Sequence, residues 1–190
     1  MRLILASKSP RRRELMGVFA YPFTVETADI DETMGSGAPE QEVARVSAKK
    51  ALAIPRNGED VVVAADTIVV CDGKILGKPK SEQEAEEMLA MLSGRSHEVM
   101  TGLTVLRGDV QHTCTEITKV FFRKLTAAEI RRYVRTGEPM DKAGAYGIQG
   151  GAGLFAERIE GDYYNVVGLP ICRLGEILQR VAPEIMEASQ

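Results

Sequence analysis

Apolar residues recur along the chain with two different periods, and the switches between them mark out elements. A short apolar run over 2–6 predicts a strand, and "SPRRRELM" after it predicts a helix starting at Pro10 with Ser9 as its N-cap. "FTVETADIDET" is extended, and "PEQEVARVSAKKALAI" carries apolar residues at helical spacing from Pro39 onward. A nearly unbroken apolar run, Val61 to Val70, meets Asp72-Gly73, a strong hairpin signal, and returns as Lys74 to Leu76. "SEQEAEEMLAMLSG" predicts a helix with a capping box at Ser81 and Glu84 and a stop at Gly94. Two long strands follow around Gly108-Asp109, then a helix with a second capping box at Thr126 and Glu129, ending at Gly137 before Pro139. A last helix is predicted from Pro170 to about Val181. Alternating strands and helices give an α/β class, and the hairpins favour a mixed, largely antiparallel sheet over a purely parallel one. No repeat, low-complexity tract or linker divides residues 1–190, so one domain is expected; Thr33 to Glu40 reads as a surface connection.

Composition narrows the classes of function. The 190 residues are 44% hydrophobic with a net charge of −3, which gives no global pull toward nucleic acid or membrane. Binding of an anion must therefore come from local clusters of base. The five Phe and five Tyr do not interleave with basic residues, which also argues against a nucleic-acid binder. No apolar run approaches the ~20 residues of a bilayer span, and no signal peptide pattern is present. The three cysteines, Cys71, Cys114 and Cys172, are odd in number and far apart, so the expected compartment is reducing and cytoplasmic. With only His97 and His112, a His-rich metal site is excluded, and a Ser-His-Asp triad is left with little support.

Asp66 is the most informative residue. It interrupts "VVVAADTIVV", where an ionised carboxylate is costly unless it is paired or binds metal. It reads either as a metal ligand or general base at a strand end, or as a structural acid accepting backbone hydrogen bonds at a bulge. Asp31 and Glu32 are further acids; Asp66 with Glu32 would meet the oxygen-ligand requirement of Mg²⁺. The bases are Arg11, Arg12, Arg13, Lys49, Lys50, Lys78 and Lys80. Three arginines at the positive end of a helix dipole oppose it, unless an anion such as phosphate is the partner they await. "DKAGAYGIQGGAGLF" is either a flexible loop or a place where backbone closely approaches a ligand, with Gln149 offering an amide to a base edge. Asp162 and Asn165 are polar anchors or turn residues. Spacing alone stops at a Mg²⁺-dependent, phosphate-handling enzyme.

With those residues in view, the chain resembles the Maf family of nucleoside triphosphate pyrophosphatases over essentially its whole length. The resemblance rests on "LASKSPRRREL", "AADTIVV" followed by "ILGKP", "SGRSHEVMTGL", "EPMDKAGAYGIQG" and "GDYYNVVGLP". It implies a mixed α/β fold of helices flanking a twisted sheet, in two lobes around a deep cleft, similar to inosine triphosphate pyrophosphatases. It implies cleavage of a nucleoside triphosphate to monophosphate and pyrophosphate, and "DKAGAYGIQG" looks like the subgroup acting on dTTP and UTP. Modified pyrimidine triphosphates would make this a house-cleaning activity. Carried over by motif, Asp66 is the proton acceptor, with Glu32 beside it on Mg²⁺ or Mn²⁺. Arg11, Thr67 and Gln149 carry selectivity, and Lys50 and Lys78 complete the set, with Arg12 beside them on phosphate. A homodimer is implied as well. The rival reading is a nucleotide-sensing regulator of septum formation and cell division with little or no catalysis; a second is a phosphomonoesterase, which would release orthophosphate.

Overall fold

The computed structural model describes residues 1–187. Its strands are β1 (Leu3–Leu5), β2 (Phe23–Val25), β3 (Val61–Cys71), β4 (Lys74–Leu76), β5 (Ser96–Arg107), β6 (Val110–Phe122) and β7 (Ala156–Glu160). The helices are α1 (Pro10–Met16), α2 (Pro39–Leu52), α3 (Glu82–Leu92), α4 (Ala127–Val134), α5 (Tyr163–Val167), α6 (Ile171–Val181) and α7 (Pro183–Glu187). The strands form one seven-stranded sheet in the order β2-β1-β3-β5-β6-β7, with β4 paired to β3. β1 runs parallel to both β2 and β3, whereas β3–β4 and β6–β7 are antiparallel. The sheet is mixed, as the hairpins in the sequence require. The chain divides into two compact units: Met1–Asp66, Thr101–Glu116 and the chain from Gly168 make the first, Thr67–Met100 and Ile117–Val167 the second.

In the first unit, Ile4, Ala6, Ala51, Ile54, Val62, Ala64 and Leu106 form one buried cluster. It joins strands β1, β3 and β5 to the end of α2. A methyl group at Gly102 on β5 would collide with the Val43 carbonyl of α2, so helix and strand touch backbone to backbone there. Ser47 Oγ meets Thr104 Oγ1 at 2.8 Å, and Thr104 meets Thr113 at 3.0 Å, which fixes how α2 lies on the strands. Asp60 is fully buried and held by the Arg2 guanidinium at 2.7 Å, which depresses its carboxyl far below the usual range. The extended stretch from Phe23 pairs only as far as Val25. One further bond, Glu26 N–H to the Leu5 carbonyl, ends the ladder, and the chain then leaves the sheet.

The second unit is built around aromatic rings. Phe122, Tyr133, Tyr146 and Phe155 pack edge to face with Leu89, Leu92 and Val134 among the surrounding apolar residues. Asp72 and Gly73, at φ 50° and 75°, form the tight hairpin turn between β3 and β4, and Arg95 pairs with Asp72. The capping box on α4 is complete: Thr126 and Glu129 each accept from the other's backbone N–H. On α3 only half of the expected box forms. Ser81 accepts the Glu84 N–H, but the Glu84 carboxylate turns to the Lys80 N–H at 2.7 Å, one residue earlier. Among the elements not foreseen are β7, α5 and α7, each five residues long. The glycine-rich stretch 143–154 holds two short 3-10 turns, Ala143–Ala145 and Gly151–Leu154, joined by a further turn rather than a loose loop.

Candidate active site

α2 positions the first base. Seated by Gly102 and Ser47, it carries Lys50 in its last turn, where a cation also suits the helix dipole. The Lys50 ammonium lies 2.6 Å from Asp66 Oδ1 and 3.2 Å from Glu32 Oε1. Asp66 is 8% exposed in the middle of an apolar strand, so its charge needs a partner, and Lys50 provides it. Glu32 reaches in from the loop after β2 with its side chain half exposed. Two acids held by one ammonium make a compact array with Lys50 shared between them.

α1 adds the arginines. Ser9 caps it by accepting the Arg12 N–H, with Pro10 in its first turn. Arg13 faces solvent, while Arg11 and Arg12 are half-buried. The Arg12 side chain folds back, its Nε donating to the Gly168 carbonyl at 2.7 Å and its Nη1 to Ser7 Oγ at 3.4 Å. Burial pulls the Arg12 guanidinium below its usual value; the charges of Asp66 and Glu32 oppose that shift and Arg11 reinforces it. Arg12 therefore already stands in the field of the two acids. That revises the reading of one member of the arginine run: Arg12 is countered by acids of the same unit, before any phosphate is considered.

The structure thus brings together Arg12, Glu32, Lys50 and Asp66, with Arg11 next to Arg12 on α1. Asp31 does not join them: it is exposed and accepts the Thr33 N–H at 2.9 Å. Lys49 is exposed on α2. Thr67 follows Asp66 on β3 and opens the second unit, half-buried. Lys78 and Lys80 are exposed in the turn after β4, a turn tied down where the Gly144 N–H donates to the Gly77 carbonyl at 3.0 Å. Gln149 is exposed at the tip of the glycine-rich stretch. Asp162 is a turn residue, accepting the Tyr164 N–H at 2.7 Å. Asn165 is fully buried and donates to the Val99 carbonyl and to Thr118 Oγ1, both at 3.0 Å, so it ties strands rather than facing a ligand. His97 is buried against Tyr146, 2.7 Å from its hydroxyl, and burial pushes its pKa down to about 4. A neutral histidine bonded to a tyrosine serves no Ser-His-Asp triad.

Sequence reasoning missed Ser7 and Gly168, which aim Arg12, and Glu42 with Arg45, which hold the loop bearing Glu32. The doubled serine of "SKSP" was a signal for Ser7. Glu42 gave none, because an acid in the first turn of a helix is ordinary. Among the described residues no group of three or more His, Cys, Asp or Glu side chains could hold a metal. The two carboxylates that share Lys50 nevertheless suit Mg²⁺ or Mn²⁺, which takes hard oxygen ligands and completes its shell with substrate phosphates. In this structure the Lys50 ammonium is the cation that lies between them.

The fold is shared with known proteins. It is similar to that of a Ham1 protein from Staphylococcus aureus, at a TM-score of 0.53 and 15% identity over 95% of this chain and 99% of that one, a likeness of fold alone. A family model described as Maf-like protein matches residues 2–181, and the chain belongs to that family. Curated relatives from Bacillus cereus (strain AH820) and Bacillus thuringiensis subsp. konkukian (strain 97-27), both named dTTP/UTP pyrophosphatase, are 46% identical over 98% of this chain and 99% of their own length. No helix among the described residues is long and apolar enough to cross a membrane.

Proposed function

We propose that the protein hydrolyses pyrimidine nucleoside triphosphates, dTTP and UTP foremost and modified pyrimidine triphosphates with them, to the monophosphate and pyrophosphate. One observation carries this reading. The Asp66–Lys50–Glu32 array lies on elements of a chain 46% identical, over 98% of its length, to relatives named for that reaction. Lys50 engages Oδ1 of Asp66, and Oδ2 is the oxygen that takes the proton from a water attacking the α-phosphorus. Arg11, Arg12, Lys50 and Lys78 grip the phosphates and offset the charge that builds on the pyrophosphate leaving group. Thr67 and Gln149 fix and read the pyrimidine. Asp66 and Glu32 would hold Mg²⁺ or Mn²⁺, which supplies charge neutralisation of the phosphates when bound. In this reading the protein is a single functional domain, works in the cytoplasm, and pairs as a homodimer.

The test is a panel of ordinary and modified nucleoside triphosphates with Mg²⁺ or Mn²⁺, with pyrophosphate and orthophosphate detected separately. The expected result is pyrophosphate from dTTP and UTP that disappears in Asp66→Asn. Orthophosphate as the sole product, or near wild-type turnover in the variant, overturns the assignment.

A further inference from the structure

The loop that carries Gln149 is braced by two residues that have no part in the reaction. Gly147, Ile148, Gln149 and Gly150 form a four-residue turn, closed by the Gly150 N–H donating to the Gly147 carbonyl at 3.1 Å. Gln149 sits at its third position. On one side, the Gly147 N–H donates to the Tyr133 hydroxyl at 3.1 Å. On the other, the Gly151 N–H donates to Glu138 Oε2 at 3.1 Å. The two supports are joined, because the Tyr133 hydroxyl donates to Glu138 Oε1 at 2.9 Å. The backbone on both flanks of Gln149 is thus held by one connected pair of side chains.

The supports are themselves fixed. Tyr133 lies in the last turn of α4, buried, with its ring edge-on to Phe155 at 5.2 Å between centroids. Burial, reinforced by Glu138, raises its hydroxyl well above the usual tyrosine value, so it stays a donor. The Glu138 N–H donates to Thr136 Oγ1 at 3.2 Å, and its carbonyl accepts from Lys142 Nζ at 2.7 Å. The supporting side chains lie close against the loop where it carries no Cβ. A methyl group at Gly150 would run into the Glu138 carboxylate, and one at Gly147 would lie 2.6 Å from Lys142 Cε. Six hydrogen bonds are made in a stretch that sequence alone shows only as rich in glycine.

We propose that Tyr133 and Glu138 are positioning residues that set base selectivity by holding the turn that presents Gln149. The proposal rests on the reading above that Gln149 contacts the pyrimidine. A free turn would spread the amide over many positions, and a hydrogen bond to a base edge is directional. Held, the amide rejects a base that mismatches its donor and acceptor, because a mismatch leaves polar groups unpaired.

The experiment measures kcat and KM for dTTP, UTP, dCTP and ATP in wild type, Gln149→Ala, Tyr133→Phe, Glu138→Gln, Gly150→Ala and the Gln149→Ala/Tyr133→Phe double variant. Thermal melting of each variant reports folding. Tyr133→Phe deletes the hydroxyl that joins the two supports. Gly150→Ala displaces the carboxylate without removing any polar atom. Both are expected to lower the preference for dTTP and UTP, as the ratio of kcat/KM values, by about tenfold. The loss should appear in KM, with kcat for dTTP largely kept. Glu138→Gln keeps one oxygen for the Gly151 N–H and retains most of the preference. In the Gln149→Ala background, Tyr133→Phe should change the ratio no further. A merely structural defect lowers the active fraction for all substrates alike and leaves the ratio unmoved. An unchanged ratio in Tyr133→Phe and Gly150→Ala, with Gln149→Ala relaxed, overturns the brace and leaves the Gln149 reading intact. An unchanged ratio in Gln149→Ala overturns both.

Discussion

Each unit contains a glycine-bearing loop tied down by a glutamate, and the two ties are built from different chemistry. In the first unit, Glu42 accepts the Gly35 N–H at 2.7 Å and pairs with Arg45 at 2.5 Å, while Arg45 also donates to the Thr33 carbonyl at 2.9 Å. That loop begins with Glu32, a charged group that meets the Lys50 ammonium. In the second unit, Glu138 is matched to a phenol and an amide N–H, and its loop presents Gln149, a neutral amide. The difference teaches a division of labour. On the proposed reading, an ion pair anchors the loop that would manage charge, and a network anchored by an aromatic ring holds the loop that would manage shape and hydrogen-bond pattern. Damage to the first should lower turnover for every substrate alike, and damage to the second should change their ranking.

The largest effect sharpens the first half of that contrast. Asp66→Asn is expected to lower kcat by about 10²–10⁴-fold with dTTP and UTP equally, read by pyrophosphate release. Unequal losses would break the division.

The next prediction acts on the second unit through pH. Burial lowers the His97 pKa from 6.5 to about 4, so the unfolded chain binds the proton more readily than the folded one. The stability this provides is complete above pH 6.5 and drains away as pH falls toward 4, by on the order of 3 kcal/mol. Denaturant melts of wild type and His97→Gln across that window should differ in slope, with the variant flatter. Parallel slopes would show that His97 is not kept neutral.

Glu42→Ala tests the charged tie. It leaves Arg45 without its carboxylate and frees the loop around Glu32, and turnover should drop by about tenfold for all substrates through misplacement. A changed ranking instead would place recognition in the first unit. The smallest effect is Ser47→Ala, which removes the hydroxyl contact with Thr104 that seats α2. About 1 kcal/mol of stability should be lost in a denaturant melt, with substrate ranking unchanged.

The sequence showed those features whose signal is local. Asp66 stood out because one acid broke an apolar run. The Asp72-Gly73 turn and the Thr126–Glu129 cap were readable because their partners lie within three residues. Lys50 and Glu32 stood among several candidate bases and acids, with Glu32 already paired to Asp66 as a possible metal ligand, and the geometry adds that Lys50 bridges the two. Tyr133 and Glu138 were invisible because their partners, Gly147 and Gly151, lie 14 and 13 residues away. Nothing in a helical tyrosine or a loop glutamate announces such a distance. β7, α5 and α7 escaped because five-residue elements carry too little periodicity to register.

The interleaving of the two units bears on how the chain matures during synthesis. The first unit pairs Leu3 with Val61, bonds Arg12 to the Gly168 carbonyl, and joins Arg107 to the Val181 carbonyl and to Glu184. It therefore cannot close until its last segment has left the ribosome. The second unit draws all its residues from 67–167, and its cluster of rings is complete once Phe155 has emerged. Vectorial synthesis thus favours the later-starting unit as the first to finish, while the N-terminal strands wait for partners still to be translated. A chain stalled or cleaved before Gly168 would lose the clasp on Arg12. Truncation at that end is a graver lesion than the modest appearance of the final helices suggests.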